Sequence, residues 1–347
     1  MSSSSKYKRW QHARYLKEMR YRARIKRGKI KKNRSDAVPT HLSKRNRNVI
    51  FLRAPMHFSL VDNKEETLEY FNHALSAIEN CKPRQEVFFD LKSVSLITPD
   101  AIMYLIALVN NCKRCRTTQT ICRGNLPEDP DARAYIEKSG FYSYVSTQRM
   151  LPHPNMNSAI QISSGCEVDP ELIGNICSFV SSKSALPERI HTKGLYQIIT
   201  ELMTNTIQHA YTDSTGIMDN RWYVYVEDLE DKIQFVFLDT GVGIPTTIKK
   251  NFWEKVAQLV GNNANDAKLI SSALKGVYRS ETGEKHRGKG LPNIYEASKT
   301  DRISCLNILS GFGQCTVDDT CSIVESNLSI SFSGTLFCWQ FDKNVED

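Results

Sequence analysis

A polar flank runs along one side of a helical segment in the second half of the chain. In ELMTNTIQHAY, residues 201–211, Glu201 and Asn205 are one helical turn apart, and Gln208 and His209 follow. The neighbouring stripe is apolar and consists of Leu195, Ile198, Ile199, Leu202 and Met203. A carboxylate, an amide and an imidazole are groups that bind ligands and exchange protons. The spacing therefore predicts a helix that packs through its apolar stripe and turns its polar flank toward a binding site.

A first glycine cluster, DTGVGIP, follows the strand segment KIQFVFLD. In that strand Ile233, Phe235, Phe237 and Asp239 alternate onto one face, so a carboxylate ends an apolar row. A buried carboxylate needs hydrogen-bonding partners. The glycines that follow it allow the backbone to approach a flat ligand closely.

A second glycine cluster, HRGKGLPNI, comes some 45 residues later, and Gly288 and Gly290 precede a predicted helix that includes Pro292. Backbone N–H groups in such a turn, beside a helix N-terminus, bind phosphate. Neither cluster is a Walker A loop or a complete dinucleotide-binding fingerprint.

In their order along the chain, these segments resemble the GHKL, or histidine-kinase-like, ATPase superfamily. ExxxNxxxHA matches the N-box, DxGxGI the G1 box, RGxGL the G2 box and SGT the terminal strand, over residues 190–340. The anti-sigma-factor kinase branch and the small stand-alone regulators fit best, because strand–helix alternation stands where sensor kinases carry a helical hairpin with a histidine. Gyrase, mismatch-repair and chaperone relatives continue into a transducer domain, whereas this chain stops a few residues after its last predicted strand.

The resemblance implies a role for each matching residue. Asn205 would bind Mg²⁺ through its side-chain oxygen, and Glu201 would be the general base for the attacking water or hydroxyl. Asp239 would accept a hydrogen bond from the exocyclic amine of adenine. The other implied ATP-binding residues are Gly241, Gly243, Gly288, Lys289, Gly290, Leu291 and Thr335.

The implied fold is the Bergerat α/β sandwich, a mixed sheet covered on one side by helices, with residues 245–287 as a mobile lid over the nucleotide. Lys285, Arg287 and Lys289 either neutralise phosphate charge or only keep the lid soluble. His209 is interpreted as a packing and hydrogen-bonding residue, and Gln208 as a solvated one.

The first half of the chain alternates strands and helices, which predicts an α/β layer with a mainly parallel sheet. Its run FFDLKSVSLITPDAIMYLIALV, with AYIEKSGF further on, resembles STAS domains over roughly residues 48–150. The predicted strands are NVIFLRAP (48–55), EVFFDL (86–91) and TTQTIC (117–122), and the predicted helices span 64–80, 99–111 and PDARAYIEKSGF.

STAS domains often carry a phosphorylatable serine at the start of the helix that follows the DL strand. The matching positions here are Thr98, Pro99 and Asp100. Asp100 either imitates a phosphorylated serine or only favours the helix N-terminus, with Thr98 as the cap and Pro99 in the first helical position.

Positive charge is concentrated at the N-terminus. Residues 1–50 hold 17 Lys and Arg against Glu18 and Asp36, a net of +15, which leaves 29 of the 46 basic and 36 of the 38 acidic residues, a net of −7, for the remainder. Aromatic residues such as Trp10 are interleaved with the cations, which suits phosphate contacts and base stacking; a solubilising tail and a contact with an anionic membrane stay open as alternatives. The nucleic-acid arm is predicted to use Lys8, Arg9, Trp10, Arg14, Arg20, Arg22, Arg24, Lys26 and Arg27.

The predicted organisation is α/β with three parts: a helical or disordered basic arm at 1–47, a STAS-like domain at 48–155 and a GHKL ATP-binding domain at 156–347. A polar linker is predicted over 151–165. No apolar run approaches the roughly 18 residues of a membrane span. Because there is no signal-peptide core and the ten cysteines follow no disulfide pattern, a cytoplasmic location is expected.

The predicted function is a regulatory switch that binds ATP and Mg²⁺, in which hydrolysis changes how the STAS-like module engages a protein partner and the arm a polyanion. A serine/threonine protein kinase of the anti-sigma type is one alternative. A nucleic-acid-binding protein with a structural or degenerate nucleotide site is the other. Homodimerisation is common in the superfamily and is a further expectation.

Overall fold

The computed structural model describes most of the chain from Val49 onward, a part that forms one compact unit of mixed α/β architecture. The residues described are 49–82, 85–111, 121–145, 159–184, 188–210, 218, 220–251, 265–278, 290–299, 303–318 and 320–343. The strands are β1 (Val49–Arg53), β2 (His57–Phe58), β3 (Glu86–Asp90), β4 (Leu96–Ile97), β5 (Ile121–Gly124), β6 (Ala159–Gly165), β7 (Trp222–Asp228), β8 (Lys232–Asp239), β9 (Ile303–Val317) and β10 (Ile323–Asp342). The helices are α1 (Lys64–Glu79), α2 (Pro99–Asn111), α3 (Pro130–Lys138), α4 (Tyr142–Val145), α5 (Pro170–Lys183), α6 (Glu188–Ala210), α7 (Ile244–Asn251), α8 (Asp266–Leu274) and α9 (Gly290–Ser298).

The first half forms a three-stranded sheet in the order β1–β3–β5, and both of its strand pairs are parallel. Strands β2 and β4 form a separate parallel pair. Helix α3 starts where it does because the Asp129 side chain accepts the N–H groups of Asp131 and Ala132, and Pro130 has no N–H to satisfy. The prediction of an α/β layer with a parallel sheet is confirmed for the described residues.

The second half forms a five-stranded sheet in the order β6–β7–β8–β10–β9. Each neighbouring pair in this sheet is antiparallel, so the mixed sheet implied by the family resemblance is not observed. The hairpin of β7 and β8 is confirmed. A second, longer hairpin joins β9 and β10, and β10 pairs on its other side with β8.

The five-stranded sheet is buried on both faces, which corrects the expectation of helices on one side only. Along β8, the side chains of Phe235 and Phe237 lie in a core with helices α5, α6, α8 and α9. Their neighbours Val236 and Leu238 lie in a different core, which contains most of helices α1 and α2. Because successive side chains of a strand point to opposite faces, the five-stranded sheet packs against one layer through each of its faces. The first half of the chain is the layer that covers the second face.

Two predicted segments have a different structure from the one expected. Residues 159–165 of the predicted linker form strand β6, which pairs with β7. Within the predicted lid, residues 244–251 and 266–274 are helices α7 and α8. Leu269 and Ile270 of α8 are fully buried. Helix α8 is therefore part of the packed fold, because its apolar face closes the core beside the sheet.

Several predictions lie outside the described residues. They concern the basic arm at 1–47, the domain boundary near 155 and the glycine–lysine pair at 288–289. Of the helices that the structure describes, none combines the length and the apolar character needed to cross a bilayer.

Candidate nucleotide pocket

A pocket of about 150 Å³ lies between the five-stranded sheet and the helices on its α6 side. Three stretches of the chain that are far apart in sequence meet there: helix α6, the turn after β8, and the start of α9. The lining residues are Leu202, Asn205, Phe237, Asp239, Gly241, Val242, Gly243, Ile244, Thr247, Ile248, Ala273, Gly276, Tyr278, Leu291, Pro292, Thr335 and Phe337. The structure therefore brings together Asn205, Asp239, Gly241, Gly243, Leu291 and Thr335, which the sequence had singled out.

Helix α6 presents Asn205 of its polar flank to this pocket, whereas Glu201 is not among the lining residues. Leu195, Ile199 and Met203 are buried in the core between the helix and the sheet, as the apolar stripe predicts. Asn205 is half-buried and lines the pocket. Glu201 is also half-buried and lies four residues earlier, roughly 6 Å along the helix axis and on the same side. The side chains of Gln208 and His209 lie outside the described part of the structure.

Asp239 is held at the end of β8 by both neighbouring strands. It pairs with Trp222 of β7 and with Thr335 of β10. Its Oδ1 accepts a short hydrogen bond of 2.5 Å from the N–H of Gly241, and the Thr335 hydroxyl donates to the same carboxylate. Burial outweighs these two hydrogen bonds and raises the pKa of Asp239 to about 6. An acceptor is thereby fixed in place at the wall of an apolar pocket.

Ser310 of β9 fastens the glycine turn to the sheet through two side-chain hydrogen bonds. Its hydroxyl donates to the carbonyl of Gly334 at 2.9 Å and accepts the N–H of Ile244 at 2.9 Å. It is fully buried and lies 3.2 Å from Thr335 Oγ1. A lone serine within an apolar strand has no recognisable spacing, so only the fold reveals this role.

Two glycines near Asp239 are required by the backbone. Gly243 has a φ of +85°, and a Cβ on it would lie 2.7 Å from Ser310 Oγ. Gly334 has a φ of +107°, and a Cβ on it would lie 2.1 Å from the carbonyl oxygen of Asp239. Neither position accepts a side chain without distortion, since L-residues avoid this region and the space is already filled. The glycines of DTGVGIP and SGT therefore let the turn and strand β10 close around Asp239.

Helices α7 and α8 form the far wall of the pocket. Ile248, Leu269, Ala273 and Tyr278 make a small apolar cluster there. The two helices are tied together by an ion pair of 2.7 Å between Lys249 Nζ and Asp266 Oδ1. Asp266 also accepts the N–H of Phe312 in β9 at 2.9 Å, so the pair is anchored to the sheet. These residues lie outside the motifs of the GHKL resemblance, so no sequence pattern indicated them.

The start of helix α9 closes the remaining side of the pocket. The helix begins at Gly290, and Leu291 and Pro292 line the pocket. Pro292 lies in the first turn, where a missing N–H costs nothing. Lys285, Arg287, Gly288 and Lys289 lie outside the described residues.

The pocket has an apolar end and a polar end. Asp239 and Thr335 form a cross-strand pair that supplies an acceptor and a hydroxyl group, and the next pair on the same face is Phe237 and Phe337, a setting that suits a flat heteroaromatic ring with an exocyclic amine. Asn205 and the N-terminus of α9 lie at positions that suit phosphates. Among the described residues, no group of three or more His, Cys, Asp or Glu side chains converges as a metal site. The side-chain oxygen of Asn205 is one donor that could ligate a magnesium ion whose other ligands are phosphates and water.

Asp100, selected from the STAS resemblance, lies away from this pocket and is buried. Its Oδ1 accepts the N–H of Leu60 at 2.7 Å and the hydroxyl of Thr98 at 2.8 Å. Burial raises its pKa to about 6. Pro99 begins helix α2 as predicted. The carboxylate fastens the chain after β2 to the start of α2 and presents no surface charge, so it does not resemble an exposed phosphoserine.

Two comparisons with known proteins find no relative of this chain. A scan against models of protein families finds none that matches the chain, and a search of curated proteins also finds no match.

Proposed function

We propose that the protein binds ATP with Mg²⁺ in the pocket between α6 and the five-stranded sheet, and that it acts as an ATP-hydrolysing regulatory switch. The observation that carries the proposal is the convergence of Asn205, Asp239 and Leu291 on one pocket. These residues come from three separated segments, and each belongs to a different motif of the GHKL resemblance. A coincidental polar stripe on a core helix gives no reason for the two glycine segments to meet it.

At the apolar end of the pocket, adenine lies against the apolar wall, and its exocyclic amine donates a hydrogen bond to the Asp239 carboxylate. Asp239 is kept in position by Gly241 and Thr335, so binding does not have to order it. A buried acceptor of this kind discriminates strongly against a base that carries a carbonyl instead of the amine, because the acceptor would then be left without a donor.

At the phosphate end, Asn205 is the residue that would hold the magnesium ion, which neutralises phosphate charge when bound. Glu201 takes a proton from the water that attacks the γ-phosphorus. As the new P–O bond forms, the bond from the γ-phosphorus to the bridging oxygen breaks, and ADP leaves with that electron pair. The N-terminus of α9 favours the negative charge of the phosphates.

The switch function rests on the layer that covers the opposite face of the sheet. Phe237 and Phe337 line the pocket, whereas their strand neighbours Leu238 and Leu336 pack into the core that contains α1 and α2. A shift of β8 or β10 that accompanies nucleotide binding therefore moves side chains that pack against the STAS-like half. A protein partner bound to that half would respond to the nucleotide state.

Turnover of ATP labelled at the γ-phosphate tests the proposal. We expect release of labelled inorganic phosphate by the full chain and a loss of about 10²- to 10⁴-fold in Glu201→Gln. The matched control is Glu171→Gln, on the exposed side of helix α5. Unchanged turnover in Glu201→Gln would argue against hydrolysis at this site. Label transferred to a protein instead of to water would favour the serine/threonine kinase.

A further inference from the structure

The three-stranded sheet of the first half has an aromatic outer face. Ile50, Leu52, Val87 and Phe89 point inward into the core shared with α1 and α2. By the alternation of strands, the residues between them point outward. Parallel sheets are usually covered on both faces, whereas Phe51, Arg53 and Arg123 on the outer face of this sheet are exposed in the described part of the structure. Its outward residues are Val49, Phe51, Arg53, Glu86, Phe88, Asp90 and Arg123, all of which are half-buried or exposed.

Two phenylalanines and an arginine form a row across the middle of this face. Phe51 of β1 pairs with Phe88 of β3, which in turn pairs with Arg123 of β5. The two rings lie 5.2 Å apart between centroids and are tilted by 45°. Phe51 is 51 % exposed, an unusual state for so large an apolar ring. The row is therefore a flat platform of two rings with a guanidinium at one side.

The face carries two exposed arginines, each of which lies beside an acidic side chain. Arg123 lies 3.9 Å from Glu86, and Arg53 lies 3.6 Å from Asp90. Both arginines are more than half exposed, and exposed ion pairs of this length contribute little to stability. Either guanidinium can therefore turn to a phosphate or stack on a base without a large loss to the fold.

The chain that enters this face is strongly basic. Residues 1–48 carry 17 Lys and Arg against two acids, a net of +15, and Asn48 is joined directly to Val49 at the start of β1. Phe51 is two residues further along the strand, roughly 7 Å away. A net charge of this size so close in sequence favours a polyanion as the partner of this face. An uncharged apolar partner would gain nothing from that segment.

We propose that the Phe51–Phe88–Arg123 row is a stacking surface for single-stranded nucleic acid. Unpaired bases stack on exposed aromatic rings whatever their sequence, while Lys and Arg residues follow the backbone. A duplex keeps its bases stacked inside and cannot use the two rings. Binding is therefore selective for single strands and tolerant of base sequence.

The test is fluorescence anisotropy with the full chain and labelled oligo-U and oligo-dT of about 16 nucleotides, the upper end of the site sizes of single-strand-binding folds. We expect Phe51→Ala and Phe88→Ala each to weaken binding by about five- to a hundredfold. The salt dependence, which reports the phosphate contacts, should stay as in the unchanged protein. A duplex of the same length should bind more weakly and should not respond to either substitution.

The matched control is Phe312→Ala, because Phe312 is 50 % exposed in β9 of the other sheet. Its affinity for the single strands should equal that of the unchanged protein. Thermal melting of all three variants verifies that they are folded. Phe51→Ala and Phe88→Ala variants that melt normally and bind single strands with full affinity would overturn the proposal. So would a dimer that dissociates in Phe51→Ala with unaltered nucleic-acid binding, since the face would then join two copies of the chain.

Discussion

At the scale of single residues, Asp239 is the side chain on which the pocket depends most. It is the only pocket-lining carboxylate among the residues that the structure describes. Its environment disfavours the ionised form, since burial raises its pKa to about 6 from an ordinary value of 3.8. The fold therefore gives up stability to keep an ionised acceptor at the wall of an apolar pocket, a cost typical of functional groups.

The first prediction concerns stability. Because the folded-state pKa of Asp239 is raised, the cost of ionising it appears as the pH rises from about 4 to 6 and is fully present above that range. Asp239→Asn keeps an oxygen acceptor for Gly241 and Thr335 and removes the charge. At pH 7 we expect the variant to melt at a higher temperature than the unchanged protein, with an unfolding free energy larger by on the order of 1–3 kcal/mol. Near pH 4 the two proteins should have the same stability. A gain or loss that is independent of pH would contradict this reading of the carboxylate.

The second prediction concerns ligand affinity at the same residue. In the proposed complex the ionised carboxylate is a stronger acceptor for the adenine amine than the protonated acid, one of whose oxygens becomes a donor. ADP affinity, measured by calorimetry, should therefore fall as the pH drops through about 6. Asp239→Asn should bind ADP weakly at each pH, because its amide can turn a donor toward the amine. Affinity that stays constant between pH 5 and 8 would exclude Asp239 as the acceptor.

At the scale of elements, the antiparallel pairing of β10 with the end of β8 makes the site. Strand β10 delivers Thr335 opposite Asp239, and Gly334 leaves room for the Asp239 carbonyl. Ser310 of the neighbouring strand β9 then fastens both to the turn that starts α7. A site built on three adjacent strands is held more rigidly than one built on loops.

The third prediction tests this pairing of β10 with β8. Gly334→Ala places a Cβ 2.1 Å from the Asp239 carbonyl oxygen at a φ of +107°, so strand β10 must move. We expect a loss of more than about 2 kcal/mol in the free energy of urea unfolding. Gly174→Ala is the matched control in helix α5, where a Cβ meets nothing within 4 Å and alanine should stabilise by about 0.5–1 kcal/mol. Equal effects of the two substitutions would show that the close contact is not present.

The sequence predicted the helices and strands whose apolar residues recur with a clear helical or strand spacing, and it missed those whose apolar residues do not. The apolar stripe of α6 and the alternation of β7 and β8 were sufficient to place Asn205 and Asp239. Strand β6, AIQISSG, is too polar to be recognised, and it forms because β7 needs a partner along its other edge. Helix α8 was assigned to the lid because only the fold shows that Leu269 and Ile270 reach the core.

At the scale of the whole molecule, the two halves share one core. Leu105 and Ile106 of α2 are buried together with Tyr223 and Val236 of the five-stranded sheet. A buried polar contact adds to this packing: Tyr135 of α3 donates to Glu227 of β7 at 2.6 Å, and Lys138 lies 3.1 Å from the same carboxylate. Stacked layers of this kind unfold together when neither can bury its own apolar face alone.

The fourth prediction follows from that shared core. Urea unfolding of the full chain should give one transition that coincides by circular dichroism and tryptophan fluorescence. Tyr135→Phe removes one of the donors to the buried Glu227 carboxylate and should lower the unfolding free energy by about 1–3 kcal/mol while leaving a single transition. Tyr142→Phe, on the half-exposed helix α4, is the control and should have little effect. Two separate transitions in the unchanged protein would contradict a common core.

Equilibrium binding of ADP, measured by calorimetry with and without Mg²⁺, tests the central claim most directly. We predict a dissociation constant of micromolar order that Mg²⁺ strengthens, with the Mg²⁺ effect lost in Asn205→Ala and retained in Thr204→Ala, its neighbour on α6. Absence of heat and of any thermal shift at about 1 mM ADP with Mg²⁺ would contradict the assignment of this pocket to an adenine nucleotide.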